Sequence, residues 1–204
     1  MLQLKPLATG TTTVGLIVGD AVILGADKRA TAGYLIASRR VRKIAKITDY
    51  SAMTMAGLVA DAQALVDFLR EEARLYELET GSKMSVRSIA TLLSNILFSY
   101  KFFPFLVQAL VGGYDDRPRL YALDPYGGLT EERFASTGSG SPVAYGVLEE
   151  GYREDLSLDE AVKLVVSAVR SAMMRDVASG DGVDVVIIKR GSYEEKFIPF
   201  SSLL

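Results

Sequence analysis

The order in which two hydrophobic periodicities alternate along the 204 residues constrains the fold most. Residues 21–26 (AVILGA) and 183–188 (VDVVII) are near-continuous apolar runs, the pattern of strands buried on both faces. Residues 12–18 are strand-like, and Gly19-Asp20 is suited to a two-residue hairpin turn. Short strands are also expected at 34–37, 44–47 and 52–55, the last two joined through Asp49-Tyr50. Helical spacing then takes over: Leu58, Ala62, Leu65, Leu69, Ala73 and Tyr76 form one apolar stripe. Ser85 is placed to cap a second helix with Ile89, Leu92, Leu93, Ile96 and Leu97 inward, stopping near Pro104. Strands return at 106–112 and 119–123, separated by the turn residues Asp115, Asp116 and Pro118. Pro142 opens a third helix to about Tyr152. Ser157-Leu158-Asp159-Glu160 is a capping box for a fourth, to about Val177, with Ala161, Val165, Val169 and Met173 inward. A more polar strand near 195–198 closes the pattern. Strands in groups, helices in pairs and no repeat or linker predict a single layered α/β domain with its helices outside.

Composition removes most catalytic chemistries. Hydrophobic residues at 49% and charged residues at 24% describe a globular chain with a substantial core. Lys+Arg 23 against Asp+Glu 25 leaves a net charge of -2, with no general footprint for nucleic acid. The apolar runs stop well short of the roughly 20 residues of a membrane span. With no cysteine there is no disulfide, thiolate nucleophile or cysteine-ligated metal. With no histidine there is no imidazole base, no Ser-His-Asp triad and no HExxH zinc site. Carboxylate-held Mg²⁺ stays open in principle, but no acidic cluster resembles a metal cage, so no metal or cofactor is expected. Nucleophilic catalysis must draw its base from a lysine, a carboxylate or a free α-amine.

Residues 8–15 (ATGTTTVG) offer the third option. A threonine hydroxyl is a poor nucleophile, and a Thr triplet entering a strand is ordinarily just β-propensity. Cleavage between Gly10 and Thr11, however, would make Thr11 an N-terminus. Its own α-amine, of pKa about 8, could then take the hydroxyl proton. Residues 1–10 are accordingly expected to be a leader removed on maturation, with 11–204 as the working domain.

Five further segments follow in order: residues 25–29 (GADKR), 42–44 (RKI), 55–63 (MAGLVADAQ), 135–141 (ASTGSGS) and 175–180 (RDVASG). Together with Thr11 they closely resemble proteasome β-subunits, archaeal ones in particular, from Thr11 to about Arg190. The resemblance implies the N-terminal-nucleophile hydrolase fold, a four-layer αββα sandwich of α+β type. By position it implies Thr11 as nucleophile and Lys43 as the lysine that lowers the hydroxyl pKa and relays its proton. Asp27 holds that lysine, Ser139, Asp176 and Ser179 orient the threonine amine and its water, and the Gly57 N–H is the oxyanion donor. Ala30, Thr31, Val41, Ala45, Met55, Val59 and Gln63 match the pocket for the residue before the scissile bond. As an uncharged set with a flexible Met at its base, they favour a large apolar side chain, a chymotrypsin-like preference.

Taken by themselves, some of these segments read differently. Residues 39–43 (RRVRK) suit a basic patch for nucleic acid or membrane, or a strand whose alternation sends Lys43 inward. Residues 138–141 (GSGS) before a helix can cradle a phosphate, though without the GxxxxGK[ST] pattern. Gly57 also suits a plain strand-to-helix turn. The resemblance turns these into one expectation: a threonine endopeptidase subunit hydrolysing unfolded proteins inside a closed chamber. Its implied partners are α-subunits and other β-subunits in heptameric rings stacked α7β7β7α7, with a regulatory ATPase acting indirectly. No nucleic acid and no membrane take part, and the setting is cytoplasmic. The alternatives are an unprocessed structural ring β-subunit, or a small-molecule amidase of the same fold.

Overall fold

The computed structural model describes residues 10–202. The remainder of the expected leader, residues 1–9, lies outside the described residues. Thirteen strands and four α-helices follow in chain order: β1 (Thr13–Val18), β2 (Ala21–Asp27), β3 (Ala30–Ala32), β4 (Leu35–Ser38), β5 (Ile44–Thr48), β6 (Ser51–Thr54), β7 (Ala56–Gly57), α1 (Val59–Thr80) and α2 (Val86–Ser99). After these come β8 (Val107–Tyr114), β9 (Pro118–Leu123), β10 (Leu129–Glu131), β11 (Phe134–Thr137), α3 (Ser141–Gly151), α4 (Leu158–Met173), β12 (Val183–Lys189) and β13 (Ser192–Ile198).

Two antiparallel sheets carry the architecture. One runs β11-β1-β2-β12-β13, so the two apolar runs are its adjacent interior strands, paired from Val183↔Asp27 to Ile188↔Val22. The other runs β10-β9-β8-β6-β5, with β7 continuing beside β8. Apolar residues of the facing sides, among them Val22, Leu24, Ala52, Leu110, Leu120 and Val186, meet in one core layer. A second layer packs Val14, Leu16, Ile23 and Val185 against Leu148, Val165 and Val169 of α3 and α4. A third packs Met53, Val111 and Tyr121 against Leu65, Leu69, Ile89 and Leu93 of α1 and α2. The result is the αββα sandwich expected above. A buried aliphatic side chain contributes about 1.5–3 kcal/mol, so the three layers dominate the stability.

Local signals explain most boundaries. Gly19-Asp20 turns β1 into β2 with Val18 opposite Ala21. The Ser85 hydroxyl accepts the Ser88 N–H at 3.0 Å and starts α2. The Ser157 hydroxyl accepts the Glu160 N–H at 3.3 Å, while the Glu160 carboxylate accepts the Ser157 N–H at 2.8 Å, completing the capping box. Three expectations need correction. Residues 40–43 are not a strand: Lys43 is buried just ahead of β5 and its neighbour Arg42 is exposed, as alternation required, but Ile44 is buried too. Tyr76, assigned to the buried stripe of α1, is 40% exposed. The short strands β3, β7, β10 and β11 are further departures, since their two to four residues are too few to reveal a period.

The capping box sets one expectation. Ser157→Ala should destabilise the subunit by about 1 kcal/mol, lowering the midpoint in scanning calorimetry by about 2–4 °C. An unchanged midpoint would show that α4 is held by packing alone.

Candidate active site

Asp27, at the end of β2, is fully buried, and both its oxygens are committed. Oδ1 accepts the Thr12 N–H at 2.9 Å and the Lys43 ammonium at 2.8 Å. Oδ2 accepts the backbone N–H groups of Arg29 and Gly180, each at 3.0 Å. Lys43 is itself only 4% exposed. Burial pushes its pKa below the ordinary lysine value, and the Asp27 charge works in the opposite direction.

Thr11 lies immediately ahead of β1 and is 4% exposed. Thr11 is joined to Gly10, so its nitrogen is a peptide N–H. That N–H donates to Ser139 Oγ at 3.1 Å. Ser139 has one hydroxyl hydrogen, and the nearer acceptor is Asp176 Oδ2 at 2.6 Å rather than the Thr11 carbonyl at 3.4 Å. Ser179 donates to the same carboxylate oxygen at 2.7 Å and stands 2.7 Å from Thr12 Oγ1. With the Ser179 hydrogen used on Asp176, the Thr12 hydroxyl is the donor in that pair. The Thr11 carbonyl also accepts the Gly140 N–H at 3.3 Å, at the start of α3. Thr11 is thus held on both sides of its α-carbon.

Two glycines are required sterically. Gly57 has φ +131, and a Cβ there would come within 1.9 Å of the Leu106 carbonyl oxygen, which accepts the Leu58 N–H at 2.8 Å. At Gly10 a Cβ would meet that of Ala178 at 1.9 Å and Ser139 Oγ at 2.8 Å. No side chain fits directly before Thr11 without displacing this wall.

Gly10, Thr11, Ala30, Thr31, Val41, Lys43, Met55, Gly57 and Val59 line one cavity, so most of the expected pocket gathers beside Thr11. Ala45 and Gln63 do not: they line a neighbouring groove that shares Met55 with it. The expectation of an uncharged pocket also fails, since Arg29, Arg42 and Lys43 contribute to the lining. Arg29 and Lys43 are paired with Asp181 and Asp27, whereas Arg42 reaches only Glu195, at 3.7 Å. A larger groove of about 640 Å³ lies elsewhere, between residues 39–42 and β12–β13, and is lined chiefly by ion-paired side chains.

Sequence reasoning missed several contributors. Gly180 belongs to a segment already singled out, yet its N–H contact with Asp27 leaves no mark in residue type. Gln108 on β8 accepts the Gly138 N–H at 3.2 Å and steadies the loop bearing Ser139, with no sequence signal at all. Among the described residues no helix is long and apolar enough to cross a membrane.

A buried Lys–Asp pair, a threonine gripped by a Ser–Asp–Ser cluster and a cavity opening on that threonine can be compared with known proteins. The family described as "Proteasome subunit" matches residues 7–188. This chain belongs to the proteasome subunit family. It is 64% identical over 203 residues to "Proteasome subunit beta 2" of Aeropyrum pernix, covering 100% of this chain and 93% of that one. It is 58% identical over 184 residues to "Proteasome subunit beta" of Methanocaldococcus vulcanius, covering 89% and 82%. It is 51% identical over 202 residues to "Proteasome subunit beta 2" of Hyperthermus butylicus, covering 99% and 95%. Proteasome β-subunits are threonine endopeptidases, and as a β-type member this chain is a catalytic subunit of the 20S core, assembling with α-subunits.

The steric fit at Gly57 gives a direct check. Gly57→Ala should break the β7–β8 pairing and speed hydrogen exchange of the Leu58 amide by about tenfold or more. Unchanged protection would mean the backbone accommodates a side chain there.

Proposed function

We propose that Thr11 is the nucleophile of this endopeptidase and that cleavage of Gly10–Thr11 removes residues 1–10 and frees its amine. The observation that carries the reading is the grip on Thr11: Ser139 on its nitrogen, Gly140 on its carbonyl, and Asp27 binding both Thr12 and Lys43. In the first event Thr11 Oγ adds to the Gly10 carbonyl carbon. The Gly10–Thr11 C–N bond breaks as the hydroxyl proton passes to the departing nitrogen, leaving an ester on Oγ and a free α-amine. Water then hydrolyses the ester, releasing a leader that ends in the Gly10 carboxylate.

Turnover repeats the attack on a substrate peptide. The freed amine takes the hydroxyl proton, directly or through a water held by Ser139, Asp176 and Ser179, and passes it to the departing amine of the substrate. Lys43 lowers the pKa of the hydroxyl and assists the relay. The Gly57 N–H stabilises the oxyanion. Water hydrolyses the acyl-threonine ester and regenerates Thr11. The proposed setting is cytoplasmic, in heptameric rings stacked α7β7β7α7, where unfolded proteins arrive through a regulatory ATPase.

Intact mass and peptidase rate of particles assembled with α-subunits test this. The wild type should lack residues 1–10, whereas Thr11→Ala should assemble, keep them and hydrolyse no peptide. An active Thr11→Ala particle would overturn the nucleophile, and a wild type that keeps its leader would point to an unprocessed ring subunit. Lys43→Arg should not rescue turnover, since a guanidinium is larger and gives up no proton at working pH. Normal turnover by Lys43→Arg would make Lys43 purely structural.

The cavity also sets a preference. Ala30, Val41, Met55 and Val59 supply apolar wall, so a Tyr before the scissile bond should be favoured over Ala by about 2 kcal/mol, or about thirtyfold in kcat/KM. A Glu peptide should be slower than the Tyr peptide, with Arg42 the cation able to narrow the gap. Equal rates for Tyr, Ala and Glu fluorogenic peptides would refute the assignment of this cavity.

A further inference from the structure

We propose that the hydroxyl of Thr13, acting through Thr54, is a positioning group that fixes the strand bearing Thr11 against the segment bearing Lys43, Met55 and Gly57; this rests on the reading of Thr11 above. Thr13 Oγ1 lies 3.1 Å from Thr54 Oγ1 and 2.7 Å from Thr137 Oγ1, and Thr13 and Thr54 are both fully buried. Thr13 and Thr137 face each other across β1 and β11 in one sheet, while Thr54 ends β6 in the other. The Thr13–Thr54 bond therefore crosses the sandwich.

Either hydroxyl can donate in each link of the row, and Thr54 offers one arrangement. Its hydroxyl accepts the Leu110 N–H at 3.0 Å, where the strand passes from the Met53↔Val111 pair to the Ala56↔Gln108 pair. Its single hydrogen is then available to Thr13, and that of Thr13 to Thr137. Around the row the layer between the sheets is aliphatic. Valine has the shape of threonine without the cost of burying a hydroxyl, so packing alone would be served at least as well by valine. What a hydroxyl adds is direction and a narrow distance range, whereas apolar surfaces can slide past each other.

The row is placed where sliding would matter. Thr13 is two residues after Thr11. Thr54 directly precedes Met55, whose N–H donates to the Lys43 carbonyl at 2.8 Å, and three residues on stands Gly57. The Asp27–Lys43 pair ties β2 to the segment before β5, Asp27 also accepting the Thr12 N–H, and the threonine row sets the register of the Thr11 strand against that segment.

The test compares Thr13→Val, Thr13→Ser and Thr137→Val in particles assembled with α-subunits, reading intact mass, melting temperature, kcat and KM. Thr13→Val should assemble, melt a few degrees lower because Thr54 and Thr137 lose a hydrogen-bond partner, keep KM, and lose about tenfold in kcat, the scale of a small misplacement of reacting groups. Thr13→Ser should restore kcat, and Thr137→Val, which leaves the crossing bond in place, should retain it. A kcat for Thr13→Val within twofold of wild type, or a loss that Thr13→Ser fails to restore, would overturn the proposal. If Thr13→Val does not assemble, Thr13→Ala cuts the same bond, leaves Thr54 as the partner of the Leu110 N–H, and should show the same kcat loss. Failure of both to assemble would make the row a folding element and overturn it. An inactive wild type that keeps its leader would bring down the reading of Thr11, and this inference with it.

Discussion

The buried carboxylate of Asp27 organises this molecule. It binds the residue after Thr11, the Lys43 ammonium, and backbone groups at residues 29 and 180. Those partners come from four separated stretches of chain, including both halves of the sandwich. A fully buried carboxylate is expensive unless every lone-pair direction is used. Those four donors meet only when β2, the segment before β5 and the loop before β12 are in place. Site order and fold closure are therefore one event.

The same interaction explains how Lys43 can be buried. Desolvation lowers its pKa, and the adjacent carboxylate works in the opposite direction. Arg42, one residue earlier, is exposed and carries only a loose ion pair. Two adjacent cations of similar length thus receive opposite environments, decided by which of them faces β2.

The sequence revealed the layers well, because long signals survive tertiary context. The runs at 21–26 and 183–188 are apolar on both faces, and the Ser85 and Ser157 caps depend on contacts within three residues. Four of the short strands, β3, β7, β10 and β11, escaped it. Phe134–Thr137 in β11 forms an edge of the first sheet through pairing with β1, a partner over a hundred residues away. Within the site, residue types and motif order pointed to Thr11, Asp27, Lys43, Ser139, Asp176 and Ser179. The structure brings all six into connected hydrogen-bonding or into one cavity wall. The remainder was hidden for a physical reason: Gly180 acts through its backbone, Gln108 through a single long-range contact, and the cations of the cavity wall through placement. Ala45 and Gln63 fall in the adjoining groove, because a wall and its far side look alike in one dimension.

The double hold on Thr11 has a consequence for the choice of nucleophile. Its carbonyl is fixed by Gly140 and the following peptide N–H by Asp27, two anchors that do not depend on the bond to Gly10. In the proposed chemistry, bond making at Oγ therefore needs little backbone movement. What is left to the reactive oxygen is a single torsion, χ1, and the β-methyl of threonine narrows even that to fewer rotamers than a serine would visit. Aim is set by the scaffold and sharpened by one carbon.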